Sequence, residues 1–145
     1  MPHCLVLLGA TLFLSMGAST FAADREEHFE YWSKFAGDWQ LQNESLVLKV
    51  TRAESGACFV FDTETITFVH GWDPAVGKMR ILSFYENGAH GIGHATIENG
   101  DMVGESMTTN PDGTTRSATW SITRRSDTQF EFTTGNTRFV FNRQN

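Results

Sequence analysis

The chain has 145 residues, 40% hydrophobic and 19% charged, with only 3 prolines. That composition predicts one folded domain and excludes a disordered, collagen-like or coiled-coil chain. Its 17 acidic against 11 basic residues leave a net charge of −6, which argues against a general nucleic-acid binder, because such proteins present a basic footprint to phosphate.

The N-terminus differs from the rest. Residues 1–23 hold no Asp, Glu, Lys or Arg, and 5–14 are nearly all apolar. That run is too short to span a membrane, which takes about 20 residues. With the small residues ending at Ala22 and Ala23, it reads as a secretory signal peptide cleaved near that pair, although its basic region is reduced to His3 and the amino terminus. The competing reading is a buried N-terminal helix. A cleaved signal predicts a secreted or periplasmic protein whose mature domain covers 24–145, with no membrane span. Cys4 leaves with the signal, so Cys58 has no internal disulfide partner. Cys58 reads as a small strand residue; a nucleophilic role requires a base nearby.

The first element of the mature chain is a helix over 26–35. Phe29, Trp32 and Phe35 recur every three residues as an apolar stripe, and Asp24, Glu26 and Glu27 sit where the helix dipole favours acids. Gly37 ends it. Everything after Gly37 reads as β: Thr, Val, Ile and Phe abound and no long helical period returns. Turn signals recur at Glu54-Ser55-Gly56, Asp73-Pro74-Ala75-Val76-Gly77, Asn87-Gly88, Asn99-Gly100, Pro111-Asp112-Gly113 and Ser126-Asp127. This spacing predicts eight to ten strands in one meander, folded as a sandwich or a barrel.

Turn lengths set a register. A two-residue Asn87-Gly88 turn puts Glu86 opposite Ala89, so Leu82 and Phe84 share a face with Gly91, Gly93 and Ala95. Asn99-Gly100 adds Ile97, Met102, Gly104 and Ser106. A three-residue Pro111-Asp112-Gly113 loop adds Arg116, Ala118, Trp120 and Ile122. The other face carries Thr115, Ser117, Thr119, Ser121 and Thr123 together with His90, His94 and Glu105, so the first face is the inside. Arg80 falls inward on the same count. Ile81, Tyr85, Ile92, Val103 and Met107 fall outside, an unusually apolar outer surface. The helix stripe or a dimer contact would cover it; otherwise the helix plugs a barrel mouth. Upstream, His70 and Trp72 alternate with Ile66 and Phe68, and hydrophobicity turns that set inward. A four-residue loop between Asp73 and Lys78 would turn it out, since a one-residue slip inverts a strand.

The two ends of the β region carry a resemblance. Gly37-Asp38-Trp39 opens the first strand two residues after Phe35, and Arg138 and Arg143 lie in the last. This is similar to the calycin pattern of lipocalins and fatty-acid-binding proteins, in which a Gly-x-Trp starts the barrel and a late Arg covers the Trp ring. The resemblance implies that Trp39 is the ring and Arg138 or Arg143 its cover, held by cation–π attraction. With Gly71-Trp72-Asp73-Pro74, and Pro111-Asp112-Gly113 ahead of Trp120, the chain resembles, over 35–143, a lipocalin-like family of secreted bacterial proteins. That implies a single antiparallel up-and-down barrel with one N-terminal helix, and little chemistry. The chain departs from lipocalins proper in lacking a C-terminal helix and a disulfide pair.

Motifs for chemistry are sparse. His90 and His94 sit roughly 13 Å apart on a strand, at about 3.4 Å per residue, too far to share an ion. No metal or cofactor is expected. His70 facing in reads as a core residue, or alternatively as a haem ligand. Arg80 and Arg116, counted inward, require an anionic partner: Glu86, or the head group of an amphipathic ligand, unless they reach water at the rim. No nucleophile elbow, zinc-helix motif, phosphate loop or dinucleotide fingerprint is present, and Asn43-Glu44-Ser45 is a glycosylation sequon. The expected role is non-catalytic binding of a small apolar or anionic amphipathic molecule by Trp39, Phe68, Trp72, Leu82, Phe84 and Trp120, with Arg80 or Arg116 at the charged end. The alternatives are a filled barrel that dimerises or docks a partner through its outer apolar face, and an enzyme or haem barrel whose site the sequence does not advertise.

Overall fold

The computed structural model describes residues 15–144, with side chains placed from residue 22. Cys4 and the apolar run 5–14 lie outside the described residues. One helix, α1 (Ser15–Ser33), precedes ten strands: β1 (Gly37–Leu41), β2 (Val47–Arg52), β3 (Cys58–Asp62), β4 (Ile66–Asp73), β5 (Lys78–Tyr85), β6 (His90–Glu98), β7 (Asp101–Thr109), β8 (Thr115–Arg124), β9 (Gln129–Thr134) and β10 (Thr137–Arg143). Each strand pairs antiparallel with the next, and β10 returns to β1, so the meander closes into a barrel. Closure leaves no sheet edge to template aggregation. No described helix is long and apolar enough to cross a membrane.

The helix begins well before residue 26 and runs through Ala22 and Ala23. Its earlier residues carry no apolar stripe, so periodicity detects only the later half. Phe35 lies beyond its end, in a tight turn where the Phe35 amide donates to the Trp32 carbonyl at 2.9 Å.

The later half of α1 plugs the barrel end at which β1 begins. Phe29, Tyr31, Trp32 and Phe35 are buried there. Phe29 packs on Phe59 of β3, Trp32 on Phe61 and on His70 of β4, and Phe35 on Trp39 and Phe130. His28, buried one turn earlier, packs against Trp72. The Tyr31 hydroxyl donates to the Ile122 carbonyl at 2.8 Å and accepts from the Met102 amide at 3.3 Å, tying the helix to β8 and β7. Burial pushes this phenol up to about 12, so it stays protonated as that donor. Every side chain named here follows Ala23.

Arg143 locks the plug. Its guanidinium lies 4.2 Å from the Trp39 ring centre. It donates to the carbonyls of Ala36 at 2.7 Å, Lys34 at 2.8 Å and Asp127 at 2.9 Å. Beneath it, the Trp39 indole N–H donates to the Phe35 carbonyl at 2.7 Å. Gly37 is required at this crossing, because its φ is +127° and a Cβ there would sit 2.8 Å from Arg143 Nη1. Arg138 instead joins Glu131, so Arg143 is the cover. Arg143→Ala is expected to lower stability by about 2 kcal/mol in urea unfolding, and Arg143→Lys to recover little of it, since Lys lacks the planar fork.

The register differs from the expected one in β5. The β5–β6 turn has three residues: the Tyr85 amide donates to the Ala89 carbonyl and the Gly88 amide to the Tyr85 carbonyl. Only Gly88 has positive φ there, at 86°, whereas both Asn99 and Gly100 do in the β6–β7 turn. The extra residue pairs Phe84 with His90 and inverts β5. Met79, Ile81, Ser83 and Tyr85 therefore share the inner face, while Arg80, Leu82 and Phe84 point out. The β4–β5 loop has four residues, with Asp73 opposite Lys78 and Trp72 opposite Met79. The two slips cancel, so His70, Phe68 and Trp72 face in. From β6 to β8 the expected inner face of Ala95, Met102, Gly104, Trp120 and Ile122 is the observed one.

Candidate binding site

One end is sealed by the aromatics of α1, with Trp72 and Ile97 only partly buried at its margin; among the described residues no element fills the opposite end. Phe68 of β4, Trp120 of β8, Phe132 of β9 and Phe139 of β10 pack against the core yet are only partly buried. Phe132 lies 6.0 Å from Phe139, near-parallel, and 6.2 Å from Trp120. Ile66 faces Tyr85 nearer the rim, and both are half-buried. Arg116 of β8, opposite Thr108, has the inward parity but stands at the outer end of its strand and is exposed. The arrangement is an apolar floor and wall with one cation at the mouth.

The small inward residues do not all leave room. The Trp120 ring lies across Gly104, and a Cβ there would collide with it. The Ser83 hydroxyl occupies the space beside Gly91 in the same way. Gly104 is thus the seat of an aromatic wall.

The expected ligand contacts therefore separate into three groups. Phe68 and Trp120 face the open end, with Arg116 at its rim. Trp39 and Trp72 face in but lie at the sealed end, Trp39 fully buried beneath Arg143 and Trp72 against His28. Arg80, Leu82 and Phe84 are on the outside, and Phe84 is 53% exposed. Glu86 lies in the β5–β6 turn, its amide donating to the Thr65 carbonyl. Ile81 and Tyr85, counted outside, face in. Phe132 and Phe139 also line this open end, and the sequence signal for them is the two-residue turn at Gly135 and Asn136 between alternating Phe residues.

Arg80 has a different anionic partner from those expected. On the outer face it meets Asp73 at 2.7 Å, and the His94 Nε2–H donates to the same Asp73 oxygen at 3.3 Å. The other Asp73 oxygen accepts the Ala75 amide at 3.0 Å. The Ala75 amide first, then His94 and Arg80, hold this carboxyl below the usual range. Glu131 of β9 is a second such node, held low by Arg125 and Arg138.

His70 is stacked on Phe61 at 4.4 Å and closed from the helix side by Trp32 at 4.8 Å. A haem ligated there would have to displace the plug. No group of three or more His, Cys, Asp or Glu positioned for a metal ion occurs among the described residues. Two open depressions occur, one of about 540 Å³ running across β5–β9 from Lys78 to Gly135 with Gly104 and Trp120 in its lining, and one of about 520 Å³ at the polar β1–β2 turn. No known family model, curated protein or solved structure matches this chain.

Proposed function

We propose that this is an exported, lipocalin-like binding protein. It takes a small apolar or anionic amphipathic molecule at the open end of its barrel, without catalysis. The carrying observation is the contrast between the two ends. One is filled by Phe29, Trp32 and Phe35, whereas at the other Phe68, Trp120, Phe132 and Phe139 keep inward-facing apolar surface within reach of solvent. Apolar walls suit ligand binding, and Arg116 supplies a cation of inward parity that would orient an acid head group, with the exposed Glu86 in the β5–β6 turn at the same end. Export rests on residues 1–23. Among the described residues, the helix contacts that seal the barrel follow Ala23, so cleavage there would keep them.

The test is a titration of the protein, purified without detergent, with a medium-chain fatty acid, followed by tryptophan fluorescence and native mass spectrometry. Saturable binding of one molecule is expected. Trp120→Ala should weaken it at least tenfold, and Arg116→Ala about three- to tenfold for the acid while leaving the corresponding alcohol unaffected. Absence of saturable binding by acid and alcohol alike, and of any co-purified adduct, would sink the reading.

A further inference from the structure

The inverted β5 changes what the outer face offers. The outward residues of β5, β6 and β7 form three cross-strand rungs: Arg80, His94 and Glu105; Leu82, Ile92 and Met107; Phe84, His90 and Thr109. The middle rung is wholly apolar. Ile92 and Met107 are 43% and 45% exposed, and Phe84 beside them 53%. The apolar row stops at Ser117 on β8, where the polar Thr/Ser ladder begins. No described element covers it, because α1 is inside the barrel end.

The rung beside it carries charge in a self-complementary order, with a cation on β5, histidine on β6 and an anion on β7. Glu105 is exposed and makes no ion pair among the described residues. Arg80 is half-exposed and uses one nitrogen on Asp73, which leaves other donors of its fork free to bond outward. A two-fold axis running along β6 lays β5 of one copy over β7 of another. Arg80 then meets Glu105 of the second copy, twice by symmetry. Leu82 meets Met107 twice, and on the axis the β6 residues Ile92, His94 and His90 each meet their own copy. An axis along β5 would oppose Arg80 to Arg80, so the charge order selects β6. An isologous contact requires this reciprocity.

We infer that a second copy of this chain docks on the outer face of β5–β7, about a two-fold axis along β6 at Ile92. The partner is specified by its charge order as well as its apolar row. The interface lies on the outside of the wall and does not depend on the ligand reading.

Sedimentation velocity on the full chain tests it. Wild type is expected to be a dimer at micromolar concentration, and Ile92→Asp to raise the dissociation constant at least tenfold. Arg80→Glu and Glu105→Lys should each be monomeric alone, since each opposes like charges, yet an equimolar mixture should form a heterodimer with both ion pairs restored. Circular dichroism checks that each variant is folded. Should loss of the Asp73 pair unfold Arg80→Glu, Leu82→Lys and Met107→Glu take the same mixing test, because those side chains meet across the same axis. A wild type that stays monomeric at about 100 µM overturns the inference. So does a dimer indifferent to Ile92→Asp, or a mixture of folded variants that does not associate.

Discussion

Trp32→Ala should remove about 3–5 kcal/mol of stability, the largest loss expected from any single truncation in this chain. Trp32 is fully buried and sits where α1, its following turn, β3 and β4 converge. Its ring packs edge-on against Phe61 of β3, His70 of β4 and Phe35, with Tyr31 beside it. The surroundings are poorly placed to close the gap, since the facing rings stand on hydrogen-bonded strands. Removing the indole also loosens the neighbouring helix contacts that cover Phe59, Met79, Met102 and Phe130. The barrel end and the helix should therefore fail together. Urea unfolding followed by far-UV circular dichroism and by tryptophan fluorescence is expected to give coincident transitions, both shifted to lower denaturant. A separate early transition confined to fluorescence would show that the barrel stands without its plug, and would contradict this account. A domain of this kind has roughly 5–15 kcal/mol in hand, so the variant should still fold at 25 °C.

How legible this fold was depended on what each signal constrains. The strands were legible because turn chemistry recurs and β-branched and aromatic residues abound after Gly37. The Trp39 seat was legible through the resemblance, which pairs a Gly-x-Trp start with a late arginine but leaves Arg138 or Arg143 open; the contact is with Arg143. The helix was legible as a stripe but not as a place. Phe29, Trp32 and Phe35 declare that they need cover without saying whether the barrel end or the outer wall provides it. Tyr31 and His28 escaped notice because a three-residue spacing does not select them.

The β5 error has a sharper cause. Asn87-Gly88 supports a two-residue turn with both residues at positive φ, or a three-residue turn with glycine alone there. Here the Asn87 side chain accepts the Ala89 amide at 3.0 Å, and the Glu86 amide goes to Thr65 in another turn. The second bond is tertiary and invisible to local rules. Alternation did not correct the choice, because both faces of β5 are apolar: Met79, Ile81 and Tyr85 on one, Leu82 and Phe84 on the other. That same ambiguity is what leaves Leu82 and Phe84 as outer surface. The arginine pairing was misread with it, since Arg80 was sought inside while Asp73 and His94 waited outside. Of the candidate ligand contacts, Phe68 of β4 and Trp120 and Arg116, set by the later turns, reach the open end, while Trp39 and Trp72 face in at the sealed end. Those placed by β5 do neither.

Acid should destabilise the wild type through His70, and His70→Phe should remove that sensitivity. His70 is buried between Phe61 and Trp32, with Phe68 further off. Its Nδ1 has no hydrogen-bond partner, and among the described residues no carboxylate bonds it. Burial alone pushes its pKa down to about 3 from an ordinary 6.5. The folded state therefore binds this proton less readily than the unfolded state. The stability tied to the neutral ring is fully present above pH 6.5 and is lost as the pH falls from there towards 3. At about 1.4 kcal/mol per unit, the cost is roughly 3 kcal/mol by pH 4. Asp73 and Glu131 are held low by their partners and lose stability at the acid extreme too, but equally in both proteins, so the difference between wild type and variant isolates the histidine. Urea unfolding of both at pH 7.5, 6, 5 and 4 should give similar values at neutral pH and curves that diverge steadily below 6, the variant lying above. Parallel curves would mean that water reaches the ring and that the aromatic stack around Trp32 is looser than described. Because His70 touches Trp32, the proton that charges it acts on the seat of the helix, and the sealed end of the barrel is where acid unfolding should begin.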